Sequence, residues 1–121
     1  MYVNTYVIGV PESAREQYTA IAQTYAEVAS EFGALEIFEN WECEVPDGKL
    51  TDYRRAVRAE PGEKIVLSWV VWPDRETAAR AHREMFEDAR LVELGEMPFD
   101  SKRMILGGFE PLLVYHAAEK T

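Results

Sequence analysis

The run Lys64-Ile65-Val66-Leu67-Ser68-Trp69-Val70-Val71-Trp72 constrains this chain more than any other stretch. Ile65, Leu67, Trp69 and Val71 form one alternating set and Val66, Val70 and Trp72 the other, with Ser68 as the interruption. A β-strand sends successive side chains to opposite faces, so a run that is apolar on both sets predicts a central strand covered on both sides. The rest of the chain has to supply those coverings.

Upstream, residues 2–10 are rich in β-branched and aromatic types and stop at Pro11, which predicts a first strand. Ser13 and Glu16 have capping-box spacing, and Tyr18, Ile21, Ala22, Tyr25, Val28, Ala29 and Phe32 follow at helical spacing up to Gly33. Leu35, Ile37 and Trp41 then alternate with Glu36, Asn40 and Glu42, a second strand whose pattern is broken at Phe38 and Glu39. Turns are expected at Val45-Pro46-Asp47-Gly48 and Glu60-Pro61-Gly62-Glu63, with Tyr53 to Ala59 between them as an arm pairing back onto the central strand.

Downstream, Pro73-Asp74 closes the central strand and offers an N-cap. Ala78, Ala81, His82, Met85, Phe86 and Ala89 lie along one helical stripe, and Asp88 is placed to cap an extra turn ending at Gly95. Arg103 to Phe109 is the last strand, and Pro111, which has no N–H to donate, belongs on an edge or just past the sheet. The order is βαββαβ, that of an α+β, ferredoxin-like domain with two helices on one face of an antiparallel sheet. Strands one and three are central in that topology, and the second face is left open. Its apolar residues would expose several hundred Å² in a monomer, so a homodimer joined face to face is expected. The alternative cover is the end extension Leu112 to Tyr115 folding back.

At 121 residues, one domain spanning 1–121 is the economical reading, with about 111–121 as a C-terminal extension. A formal net charge of -9 opposes binding to a phosphate backbone, so nucleic acid is not an expected partner. The apolar run is far shorter than the ~20 residues needed to span a bilayer, and the N-terminal residues lack a basic segment, so no membrane or secretory route is expected and cytoplasm is the default. The single cysteine, Cys43, lies between Glu42 and Glu44, which disfavours a thiolate nucleophile.

Several motifs resemble the bacterial YbaA-like family, domain of unknown function 1428. They are Val45-Pro46-Asp47-Gly48-Lys49, Val66-Leu67-Ser68-Trp69 with Pro73, and Met97-Pro98-Phe99-Asp100 followed by Lys102-Arg103-Met104-Ile105 and Gly107-Gly108-Phe109. The likeness runs from Tyr2 to Glu110. It implies a ferredoxin-like subunit of the dimeric α/β-barrel group, whose wider membership includes cofactor-free and haem-degrading monooxygenases, and it transfers no activity. Two departures from the family pattern are Ser101, where a glycine is usual, and the longer segment from Leu112 to Thr121.

Three groups are candidates for chemistry. The first is the open sheet face near Trp69, with Asn4 and Tyr6 from strand one, whose rings and polar tips suit a flat ligand. Packing in a dimer core is the commoner fate of such aromatics. The second is Asp100, Lys102 and Arg103, joined by Arg54, Arg55 or Arg58 from the arm, an arginine group fit for a carboxylate or phosphate. Surface ion pairs that fix a turn are the competing reading. The third is His82, because haem-degrading relatives use an Asn, a Trp and a His from the elements that hold Asn4, Trp69 and His82 here. A neutral histidine hydrogen-bonded in the core is the simpler account. Neither histidine stands with carboxylates or Cys43 at ligand spacing, so no metal is expected, and no cofactor is indicated.

No Gly-rich phosphate loop, G-x-S-x-G elbow or C-x-x-C pair is present. The chain is therefore expected to bind a small molecule without established catalysis, the alternative being a cofactor-free monooxygenase-like enzyme acting on an aromatic or quinone-type substrate between sheet and helices.

Overall fold

A computed structural model of the chain describes residues 1–118, so the last three residues of the expected extension lie outside the described residues. Four strands, β1 (Tyr2–Pro11), β2 (Glu36–Trp41), β3 (Glu63–Trp72) and β4 (Ile105–Phe109), form one antiparallel sheet in the order β2-β3-β1-β4. The doubly apolar β3 is central, as its pattern requires, and β4 is an edge with Pro111 just beyond it. Helices α1 (Arg15–Glu31) and α3 (Arg75–Glu84) pack on one sheet face, and the short helices α2 (Tyr53–Ala56) and α4 (Ala89–Val92) fall between the strands in sequence. No helix among the described residues is long and apolar enough to cross a membrane.

Several local expectations are revised. Ser13 forms no capping bond, because the chain enters α1 through a 3-10 turn over Glu12–Ala14 and the helix begins at Arg15. The arm is not a strand: the Asp52 carboxylate accepts from the Arg55 amide at 2.8 Å and starts α2 in its place. Asp74 and Asp88 do cap α3 and α4 through the amides of Thr77 and Arg90. Residues 101–103 form a 3-10 turn, so the last strand starts at Ile105 rather than Arg103.

Strand register decides which face each side chain takes. Asn4 pairs with Val70, Tyr6 with Ser68 and Ile8 with Val66, while β2 sets Ile37, Glu39 and Trp41 beside Val70, Ser68 and Val66. These side chains face the helices. There they meet two apolar clusters: Val28, Ala29, Val70, Trp72, Ala78, Ala81 and Met85 in one, and Ile8, Val10, Tyr18 and Val66 in the other. Between the two runs a polar row, Tyr6, Ser68 and Glu39, straight across three strands.

The opposite face carries Val3, Thr5 and Val7 from β1, Ile65, Leu67, Trp69 and Val71 from β3, Phe38 from β2, and Ile105 and Phe109 from β4. The arm ties down one end of it, where Val57 and Ile65 are buried. At the other end, tail residues Leu113 to His116 run beside Val3, Thr5, Trp69 and Val71. Leu112, Leu113 and Tyr115 remain almost wholly exposed, so the tail does not seal the face.

Candidate functional site

A cavity of about 250 Å³ lies where the polar row passes beneath α1. Its origin is steric: Ser68 is flanked on the helix-facing side of its strand by Val66 and Val70, with Trp72 beyond, and Ala22 is the short residue on the helix above. Two small side chains facing each other leave a gap that larger ones would fill. Tyr18, Ile21, Ala22 and Tyr25 form the helix wall at the i, i+3, i+4, i+7 spacing of one stripe. The turn Met97 to Met104 forms the far wall through Met97, Phe99, Ser101 and Met104. Tyr18 meets Phe99 edge-on at 5.9 Å between ring centroids, and Tyr25 meets Phe86 at 6.5 Å.

One carboxylate enters this aromatic lining. Glu39 stands on the edge strand β2 with part of its side chain in solvent, yet its Oε2 accepts a hydrogen bond from the Tyr18 hydroxyl at 2.8 Å. Dehydration raises the Glu39 pKa above the usual carboxylate value, and the hydroxyls of Tyr18 and Ser68 partly offset that rise. Burial likewise raises Tyr18, Tyr25 and Tyr6, with the negative charge of Glu39 adding to each. The tyrosines are therefore held as neutral hydroxyls at any physiological pH, and the site resists additional negative charge. The Tyr25 hydroxyl is buried near that of Tyr6 but finds no hydrogen-bond partner of good geometry among the described residues.

The residues expected to make the site are distributed over several places. Tyr6 lines the cavity. Asn4 shares its face but lies outside the cavity lining, with its Oδ1 buried and without a partner among the described residues. Trp69 is on the other side of the sheet, so the expected grouping of Asn4, Tyr6 and Trp69 does not hold. Thr5, one residue out of step with them, is the β1 residue paired with Trp69, and the indole stacks on Phe38 at 4.8 Å. His82 packs edge-on against Trp72 at 5.9 Å, with a pKa lowered by burial, and its Nε2 has no hydrogen-bond partner among the described residues, in place of the core hydrogen bond expected for it. The tryptophan that accompanies Asn4 and His82 on the helix side is thus Trp72, not Trp69.

The charged candidates form ties rather than a receptor. Arg103 grips Glu63 with both terminal guanidinium nitrogens, Nη1 and Nη2, at 2.8 and 2.7 Å, and also donates to the Arg58 carbonyl at 3.0 Å and, through Nε, to Asp100 at 3.3 Å. Asp100 further accepts from the Lys102 amide at 3.0 Å. Arg55 is elsewhere, bound to Asp52 at 2.9 Å and to the Gly48 carbonyl. At the Gly107-Gly108 pair a side chain of the protein itself comes close, since a Cβ on Gly108 would overlap the Tyr2 hydroxyl oxygen. Among the described residues no three metal-ligating side chains converge.

Glu39, Ser68, Tyr18 and Tyr25 were absent from the expected site. Two of them carried a signal. Glu39 is where the β2 alternation fails, and Ser68 is where the apolar run of β3 is interrupted.

Residues 1–101 match the family model described as protein of unknown function (DUF1428). A protein of Escherichia coli described as uncharacterized protein YbaA is 47% identical over 113 residues, covering 93% of this chain and 97% of the relative, and a Shigella flexneri protein of the same description matches equally. Among solved structures, an MhuD mutant with two manganese protoporphyrin IX bound per active site aligns at a TM-score of 0.64 and 15% identity over 97% of this chain and all of that one. At3g17210 from Arabidopsis thaliana aligns at 0.56 and 12% identity over 96% of this chain and all of that one. At such identities the likeness concerns the fold alone.

Proposed function

Because this chain belongs to the DUF1428 family, whose description carries no chemistry, we propose its function from its geometry: it binds a small, flat, aromatic molecule between the sheet and α1. The observation that carries this reading is the aromatic cavity of about 250 Å³ with one carboxylate in its wall. An apolar cavity of about 150 Å³ accommodates benzene, so this one suits one ring or two fused rings. A porphyrin does not fit it, and His82 lies outside its lining, so the cavity offers no seat for haem chemistry.

A thermal-shift panel of phenols, naphthols and small quinones tests the reading. A ligand at 100 times its Kd should stabilise the protein by about 2.7 kcal/mol, and Ser68→Leu, which fills the gap, should abolish the response. A response unchanged in Ser68→Leu would place the ligand elsewhere. No response from any flat aromatic would end the proposal.

The oxygenase alternative uses the same cavity with dioxygen as co-substrate, and the observation favouring it is a proton acceptor, Glu39, among dehydrated phenols. Oxygen uptake in the presence of a hydroquinone, lost in Glu39→Gln, would establish it. Binding without uptake leaves the non-catalytic function.

The second part of the proposal is self-association. The uncovered middle of the other sheet face, with Leu67, Trp69 and Phe38, fits a second copy, since a two-fold partner covers the same patch on both subunits. Sedimentation at micromolar concentration should give a dimer, and Trp69→Lys should return a monomer.

A further inference from the structure

Resting on the cavity reading, we propose that Glu39 and Tyr25 select ligands bearing a neutral aromatic hydroxyl, a phenol, naphthol or hydroquinone, over the matching ether, quinone or carboxylate. Donors and acceptors are not matched around the cavity. Glu39 Oε2 accepts from the Tyr18 hydroxyl and the Ser68 hydroxyl stands beside the same carboxylate, whose two oxygens keep lone pairs for a further donor. Tyr25 lines the same cavity and holds a buried hydroxyl that lies near that of Tyr6 but makes no hydrogen bond of good geometry among the described residues. The cavity wall thus offers an acceptor with lone pairs to spare and a donor without a well-placed partner.

A ligand hydroxyl answers both at once, donating to Glu39 and accepting from Tyr25. A methyl ether can accept from Tyr25 but leaves Glu39 facing a carbon group. A quinone carbonyl brings only lone pairs to a carboxylate that needs a further donor. An aromatic carboxylate adds a second negative charge beside Glu39 in a site where Tyr6, Tyr18 and Tyr25 supply hydroxyls but no cation lines the wall. Shape does not separate these ligands; the unmatched polar groups do. An unpaired polar group discriminates between such ligands to the extent that the bound ligand keeps water from it, as it would on the cavity side of Glu39.

The test is calorimetric titration of the full chain with 2-naphthol, 2-methoxynaphthalene and 2-naphthoate. We expect the naphthol to bind at least about tenfold tighter than the ether, and the carboxylate to bind weakest. In Glu39→Gln, whose amide can still accept from Tyr18, the naphthol preference should shrink to about threefold or less. Tyr25→Phe should weaken naphthol and ether alike, because both accept from that hydroxyl.

Equal affinities for naphthol and ether in the natural sequence would overturn the selection while leaving the cavity as a binding site. A naphthol preference that survives Glu39→Gln would overturn the role of Glu39, and a tightest-binding naphthoate would overturn the charge argument. No binding by any of the three would overturn this inference together with the reading it rests on.

Discussion

Glu39 and Glu63 are both carboxylates on the sheet, on opposite faces, and their surroundings differ in one respect that decides what each does. Glu63 is 7% exposed and saturated: both oxygens are held by Arg103, and Oε1 also accepts from the Glu60 amide at 2.8 Å. Even the space around it is reserved, since a Cβ on Gly9 would stand 2.8 Å from Glu63 Oε1. Glu39 has the Tyr18 hydroxyl, Ser68 opposite it, and a cavity beyond. The two pKa shifts run in opposite directions: hydrogen bonds from Arg103 lower Glu63, and dehydration raises Glu39. A carboxylate with every lone pair engaged is a tie in the fold. One with a vacancy inside a cavity is a means of recognition.

The largest expected effect comes from breaking the tie. Arg103→Ala leaves Glu63 buried without its cation and releases the Arg58 carbonyl, so the melting temperature should fall by ~5 °C or more in differential scanning calorimetry. A fall no larger than that of Arg55→Ala, an exposed ion pair, would make the two kinds of tie equivalent.

Gly9→Ala follows. It crowds Glu63 against Arg103 on a strand with no room to yield, and should cost about 1–3 kcal/mol in urea unfolding. An unchanged midpoint would show that the clamp tolerates a methyl group.

Acid separates the two carboxylates by sign. Glu63 has a lowered folded pKa, so its contribution is present above the unfolded value of about 4.3 and is lost as pH falls through the folded pKa below it. Glu39 has a raised folded pKa, so its ionisation removes stability as pH rises from about 4.3 through that higher value. Glu39→Gln should therefore be as stable as the natural sequence near pH 4 and equal or more stable at pH 7. Glu63→Gln should be less stable at pH 7, with the deficit shrinking in acid. Matching pH profiles for the two variants would erase the distinction.

The smallest expected effect is that of Tyr18→Phe. It removes one hydrogen bond from a nearly buried ring, costs about 1 kcal/mol, and should move the Glu39 pKa further up. A downward move would mean that Tyr18 does not support the carboxylate.

Element order, the central place of β3 and the position of Pro111 could be read from alternation, helical spacing and the missing N–H of proline, because each depends on neighbouring residues. Face assignment could not. Moving the pairing by one residue exchanges the whole set, and nothing within β1 or β3 alone tells whether Trp69 sits beside Tyr6 or beside Thr5. The partner of Arg103 was out of reach for the same reason: Glu63 lies forty residues upstream, and only sheet assembly brings them together. Ser68 and Glu39 were visible as faults in two separate patterns. Their common meaning needed the register that sets them side by side in one row.

Titration of selectively labelled glutamate carboxyl carbons by NMR, with and without 2-naphthol, tests the central claim most directly. Glu39 should titrate above the ordinary glutamate value of about 4.3 and shift when the naphthol is added, while Glu63 titrates below it and does not respond. A Glu39 that titrates at or below the ordinary value and ignores the ligand would contradict the account.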